Sequence, residues 1–235
     1  MRAIVLISAD AEWAALQKLL VPSQNCPSPF GEWFTLNLPI AGRDEEVLFF
    51  HGGWGKISAA ASTQYVIDRW SPSVLVNLGT CGGFDGFVER GSIVLVEKTI
   101  VYDIVEQMGD QAEHIAHYST GIDLSWLATP YPQPVLRTLL VSGDRDLIAQ
   151  EVQELAARYG AVAGDWESGA IAWVAARNHT RLLILRGVTD LVGASGNEAY
   201  GDLSVFQRAA EQVLADLLPH LADWVALALA PRGAG

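Results

Sequence analysis

The strongest constraint in this sequence is an alternation: short, wholly apolar runs give way to glycine turns or directly to stretches with helical spacing. Ala3-Ile-Val-Leu-Ile7 leads into Ala11–Leu20, where Trp13, Leu16 and Leu20 recur at helical intervals. Val47-Leu-Phe-Phe50 leads through His51-Gly-Gly-Trp-Gly55 into Lys56–Trp70, whose Ile57, Ala60 and Ala61 begin an apolar face. Val74-Leu-Val-Asn-Leu78 ends in Gly79-Thr-Cys-Gly-Gly83, and Ser92–Val96, Leu136–Val141, Ala161–Ala163 and Arg181–Leu185 supply further strands. Helices are expected over Glu167–Asn178 and Asp202–Leu229. A strand apolar on both faces must be covered on both faces, so the pattern predicts an α/β chain around a largely parallel sheet. Ligands of such sheets bind at the carboxyl ends of the strands, where the glycine turns fall.

The rest of the chain is less regular. Residues 103–134 are acidic and later Pro-rich, and read as an excursion from one domain, 1–235, rather than a boundary. Pro22, Pro27 and Pro29 mark an early loop, and the tail 231–235 is expected to fray. No apolar run approaches the ~18 residues of a membrane span. The apolar Ala3–Ile7 before Ala9-Asp-Ala11 is too short, and too poor in basic residues upstream, for a signal peptide.

Charge narrows the partners. With 15 basic against 27 acidic residues, the net charge of −12 opposes nucleic acid and anionic membranes, which want a basic face. A small neutral or zwitterionic ligand is compatible with it. Two cysteines, Cys26 and Cys81, allow at most one bridge in 235 residues, which fits a reducing cytoplasm. The sequon at Asn178-His-Thr180 is then a chance match.

Gly53-Trp-Gly55 invites a nucleotide-loop reading, yet Ser58 stands where a dinucleotide fingerprint needs its third glycine. Ile57 stands where a phosphate loop needs Ser or Thr after Lys56. A turn serving a ligand without phosphates, or only the chain reversal, is left. Gly79-Thr-Cys-Gly-Gly83 exposes backbone N–H groups and the Thr80 hydroxyl at the ligand edge; Cys81 has no local histidine signature and reads as a small hydrophobe. His114 and His117 lie among acidic residues without a strict ligand spacing, so a loop is preferred to a metal site.

Three carboxylates fall where chain and sheet converge: Glu12 after the first strand, Glu167 opening a helix, and Asp190 just past the strand at Arg181–Leu185. Singly, each reads as a helix N-terminal acid interacting with the dipole. Together they are the kit for breaking a glycosidic bond: an acid for the leaving group, a base for water, and charge near an oxocarbenium-like sugar.

Five segments in order carry a resemblance that runs from Ile4 to about Val192: Ser8-Ala-Asp-Ala-Glu-Trp13, Gly53-Trp-Gly-Lys-Ile-Ser-Ala-Ala60, Asn77-Leu-Gly-Thr-Cys-Gly-Gly83, Val141-Ser-Gly-Asp144, and Asp165-Trp-Glu-Ser-Gly-Ala170 with Arg186-Gly-Val-Thr-Asp190. The chain resembles the purine nucleoside phosphorylase and nucleosidase superfamily, and within it the 5′-methylthioadenosine/S-adenosylhomocysteine nucleosidases. The resemblance implies a three-layer phosphorylase/hydrolase-like α/β fold, with a central mixed, largely parallel sheet flanked by helices. It implies hydrolysis of a purine nucleoside, no metal or organic cofactor, and a homodimer whose partner subunit helps close the pocket.

By the same resemblance Asp190 is the acid that protonates the purine at N7, and Glu12 activates the attacking water. Glu167 accepts hydrogen bonds from the ribose diol, Thr80 replaces a family Ser beside the sugar, Gly79 lines the pocket and Arg186 orients groups near the acid. Where phosphorylases place a phosphate-binding arginine, this chain has Asn77, which favours water as nucleophile. The family's Glu-Met-Glu reads Asp165-Trp166-Glu167 here, which puts Trp166 beside the sugar and reshapes the 5′ pocket. Its aromatic base loop reads Gly143-Asp-Arg-Asp-Leu147, keeping Leu147 in the base site but no ring, so stacking falls to a residue such as Trp54 or Trp13 unless these are core. Futalosine hydrolysis, a phosphorylase and a non-catalytic nucleoside-binding domain stay open as alternatives.

Overall fold

The computed structural model describes residues 3–193, 196–197 and 201–230; the tail expected to fray lies outside them. Its strands are β1 (Ala3–Ile7), β2 (Cys26–Pro27), β3 (Glu32–Ile40), β4 (Arg43–His51), β5 (Val74–Phe84), β6 (Ile93–Val101), β7 (Thr120–Gly121), β8 (Leu136–Ser142), β9 (Ala163–Asp165), β10 (Leu182–Gly193) and β11 (Gly196–Asn197). The helices are α1 (Asp10–Leu20), α2 (Gly55–Trp70), α3 (Gln111–His117), α4 (Val152–Tyr159), α5 (Ser168–Arg177), α6 (Leu203–Leu217) and α7 (Leu221–Leu229).

The strands form one mixed sheet in the order β11-β10-β6-β8-β9-β5-β1-β4-β3-β2. β4, β1, β5 and β10 run parallel to their neighbours, as do β6, β8 and β9, while antiparallel pairs join these groups and finish the edges. Because β10 pairs with β5 as well as β6, the strands β5, β10, β6, β8 and β9 close on themselves. The apolar runs are buried as their composition requires, with alternate side chains feeding opposite faces. Val5, Ile7, Val76, Leu78, Leu183 and Leu185 pack with Trp13 and Leu16 of α1 and with Val213, Leu214 and Trp224 of α6 and α7. Ile4, Leu6, Leu75, Leu182 and Ile184 pack with Ala59 and Val66 of α2 and Ile171 and Ala172 of α5.

Some elements differ from expectation. β3 and β4 form a hairpin through Ala41-Gly42, both with positive φ, in a region from which only Val47–Phe50 was legible. Its outer half, Arg43–Glu46, is polar because it is mostly exposed. The strand expected at 161–163 is shifted to Ala163–Asp165. The helix expected over 202–229 is interrupted by a single 3-10 turn, Leu218–His220, at Pro219. By length and apolar composition this stretch passes for a membrane span, contrary to the sequence expectation. Here its apolar side chains, Leu214, Leu217, Leu221, Trp224 and Val225 among them, are buried against the sheet. Within the excursion at 103–134, α3 forms and Leu124, Trp126 and Leu127 join the core.

Candidate active site

A cavity of about 370 Å³ opens beside the carboxyl ends of β1, β5 and β10, and Glu12, Thr80, Glu167 and Asp190 all line it. That volume lies in the range of small-molecule sites. Each carboxylate arrives by a different local device. Glu12 lies in the first turn of α1, where its Oε2 accepts the Ala9 N–H at 3.1 Å, so it binds one of the helix's free amides. Its Oε1 accepts both the N–H (2.6 Å) and the hydroxyl (2.8 Å) of Thr80 at the end of β5.

Glu167 caps the approach to α5 and reaches the turn before α2, where the Gly55 N–H donates to its Oε1 at 2.9 Å. Gly55 has φ +82°, a left-handed conformation that glycine adopts without strain. Burial, reinforced by the Asp165 charge, pushes the Glu167 carboxyl up to about 8 against the opposing pull of Arg186. Asp190 follows a bulge in β10, where the register against β5 slips between Val188 and Asp190. The extra residue, Thr189, re-aims the strand and donates its hydroxyl to Asp190 Oδ1 at 2.5 Å.

Arg186 unites these groups from behind. It is fully buried, and its Nη2 lies 2.9 Å from Asp165 Oδ2 and donates to Asn77 Oδ1 at 2.7 Å, while Nε donates to Ser168 Oγ at 3.1 Å. Its Nη1 lies 3.9 Å from Glu12 Oε1 and has no hydrogen-bond partner among the described residues. A cation in this position offsets the mutual repulsion of Glu12, Asp165 and Glu167.

The family model described as the phosphorylase superfamily matches residues 3–222. The chain belongs to the phosphorylase superfamily. A 5′-methylthioadenosine/S-adenosylhomocysteine nucleosidase of Thermotoga maritima is 30% identical over 163 residues, which cover 68% of this chain and 73% of the relative. The nucleosidase of Helicobacter pylori solved with butyl-thio-DADMe-Immucillin-A superposes with a TM-score of 0.77 at 12% identity, over 95% of this chain and 98% of that one. A futalosine hydrolase mutant of the same organism superposes at 0.71 and 13% identity, over 95% and 99% of the two chains. At these identities the two structures establish the fold.

Against that superfamily background, Leu147 and Trp166 also line the cavity, but Gly79 and Arg186 do not. Gly79 is buried behind the cavity wall, where an added Cβ would lie 2.0 Å from Arg186 Nη1 and 2.6 Å from Glu12 Oε1. Glycine here is room for the guanidinium. Arg186, expected among substrate-binding groups, is likewise one layer back. Asn77 is fully buried, with its amide donating to Leu6 O at 3.0 Å and accepting from Arg186, so it is part of the same internal scaffold.

Trp13 is core: it is buried, stacks on His51 at 5.3 Å and donates to Glu32 at 2.6 Å. Trp54 and Trp166 both line the cavity and meet edge to face at 5.9 Å. Phe206 of α6 joins them. Nothing in the sequence singles it out, since it is one apolar position on an amphipathic helix. In the loop after β8, Leu147 wedges between the backbones of Gly82 and Gly164, while Arg145 pairs with Glu151 and covers the Tyr102 ring at 5.0 Å.

Cys81 borders the cavity but is buried, and burial pushes its thiol far above the ordinary range, so little thiolate exists at neutral pH. His114 Nε2 faces Glu106 at 3.5 Å; among the described residues no three His, Cys, Asp or Glu side chains are grouped to hold a metal.

Proposed function

We propose that the chain, acting as one domain over 1–235, hydrolyses the N-glycosidic bond of a purine nucleoside, with 5′-methylthioadenosine and S-adenosylhomocysteine as substrates. One observation carries the reading: Glu12, Glu167 and Asp190, far apart in sequence, line one cavity with Thr80 and Gly82 of β5 and Trp54 of the turn before α2. The Thermotoga maritima relative carries that nucleosidase name, and its likeness supports the choice of substrate.

Asp190 gives its proton to N7 of the base, so that the C1′–N9 electron pair leaves on a neutral purine. Water attacks C1′ and loses a proton to Glu12, whose carboxylate is held in place by Ala9 and Thr80. Glu167 binds the ribose diol. Two hydroxyl donors favour its ionised form, so sugar binding draws off the proton that burial retains in the free protein. Arg186, buried behind Glu12 with Nη1 3.9 Å from its Oε1, offsets the charge of that carboxylate from behind the cavity wall. Asn77 is consumed by internal hydrogen bonds and offers phosphate no charge, which supports water as nucleophile. Each proton is handled by a side chain, so the reaction as written needs no cofactor.

The ring-free base loop and Trp166 keep futalosine as a second substrate reading. The cytoplasm, methionine salvage and a homodimer complete the proposal. Exposed apolar side chains near Lys56 and Asp103 in sequence, Trp54, Ile57, Val105 and Met108, support a dimer contact there. The test is to incubate the protein with methylthioadenosine, adenosylhomocysteine, futalosine and adenosine, with and without phosphate, and quantify free purine. Release from none of them overturns the hydrolase reading, and a phosphate requirement replaces it with phosphorolysis.

A further inference from the structure

The turn that holds Glu167 is itself held. The Lys56 N–H donates to Asp144 Oδ1 at 2.7 Å, its Nζ lies 2.5 and 2.6 Å from the Asp103 carboxylate oxygens and 3.8 Å from Asp144 Oδ2, and the Asp144 N–H donates to Asp103 Oδ2 at 2.8 Å. Three residues from α2, the segment after β6 and the loop after β8 thus form a closed ring. The ring touches both halves of the cavity: Gly55, one residue before Lys56, donates to Glu167, and Arg145, Asp146 and Leu147, just after Asp144, line the cavity. Trp54, the N-cap of α2, offers no side-chain acceptor, so two outside carboxylates, Glu167 and Asp144, take the first amides of the helix.

We propose that Lys56 is a positioning residue, which locks the base loop and the sugar-binding carboxylate Glu167 to one helix terminus and so sets their mutual geometry. The inference rests on the hydrolase reading above. Asp103 and Asp144 are like charges beside one ammonium, and Lys56 is the cation they share; its side chain and that of Asp103 are 23 and 13% exposed, so the pairing is poorly screened. Without the ammonium the two carboxylates repel, loop 143–147 parts from the first turn of α2, and the Gly55 N–H is pulled from Glu167. Glu167 then keeps Arg186 as its counter-ion but faces Asp165 and Glu12 without its backbone donor. The ionised form needed by the ribose diol becomes harder to reach.

The test compares Lys56→Met and Lys56→Arg with wild type, measuring kcat and KM for methylthioadenosine from about pH 6 to 9, with thermal melts alongside. Lys56→Met is expected to raise KM about tenfold or more, with a smaller change in kcat, and to move the rising limb of kcat/KM to higher pH; Lys56→Arg restores both. If Lys56→Met does not fold, Lys56→Gln, which removes the charge but keeps a polar end beside Asp103, is expected to move KM and the limb in the same direction. A wild-type KM with an unmoved limb in the folded variant overturns the positioning role while leaving the hydrolase reading intact. So does a proportionate loss of kcat with an unmoved limb. A wild-type protein that turns over no nucleoside overturns the hydrolase reading, and this role falls with it.

Discussion

One oxygen of Glu12 accepts two hydrogen bonds from Thr80, from its N–H at 2.6 Å and its hydroxyl at 2.8 Å. This clamps the first turn of α1 to the end of β5, and it fixes the carboxylate assigned to water. Thr80→Val keeps the backbone bond and loses the hydroxyl. It is expected to lower kcat about 10- to 100-fold with little change in melting temperature, from loss of one hydrogen bond to a charged group. Steady-state kinetics and a thermal melt check it, and unchanged kcat removes the hydroxyl from the mechanism.

Gly79→Ala places a methyl within 2.0 Å of Arg186 Nη1 and 2.6 Å of Glu12 Oε1, both buried. Overpacking of this kind costs about 1–3 kcal/mol. At ~2–4 °C per kcal/mol for a chain of this size, the melting temperature falls by several degrees. Loss of affinity alone, with an unchanged melt, would mean that the glycine lines the pocket after all.

Glu167 gives a signed pH dependence. Its carboxyl is raised from 4.5 to about 8 in the folded protein. Between those values the folded state holds a proton that the unfolded state has released, so the stability this group contributes is full below about 4.5 and is lost as pH rises through about 8. Glu167→Gln is therefore expected to melt higher than wild type at pH 8, with a margin that shrinks toward pH 5, while nucleoside binding weakens. Melting curves across that range test it, and a margin independent of pH refutes the assignment.

Cys81 borders the cavity with its thiol held neutral by burial. Cys81→Ala is expected to keep wild-type turnover, and brief treatment of the native protein with iodoacetamide to leave it active. Inactivation at neutral pH, prevented by the Ala substitution, would show a functional thiolate.

Much of this arrangement was legible because it rests on short-range chemistry. Val74–Leu78 had to be a strand buried on both faces, and the glycines after it had to turn at the ligand edge. Glu12, Glu167 and Asp190 each follow such an edge, so their convergence in one cavity could be anticipated. What could not be read was long-range. Asn77 and Arg186 pair across 109 positions, and Gly79 matters only because that guanidinium fills the space above it. The Thr189 bulge leaves no trace in an apolar pattern, yet it re-aims Asp190. The hairpin of β3 and β4 was obscured because its outer strand half is polar where it faces water. Trp13 and Trp54 are the same residue type beside similar turns, and only packing separates a core ring from a pocket ring.

Acid-assisted hydrolysis in the three-carboxylate cavity is tested by adenine release from methylthioadenosine in phosphate-free buffer, compared between wild type and Asp190→Asn. Wild type is expected to release adenine rapidly and the variant to lose about 10²–10⁴ in kcat, as for removal of a general acid, with ligand binding retained by titration. Turnover by Asp190→Asn at the wild-type rate, or wild-type release only when phosphate is added, would contradict it.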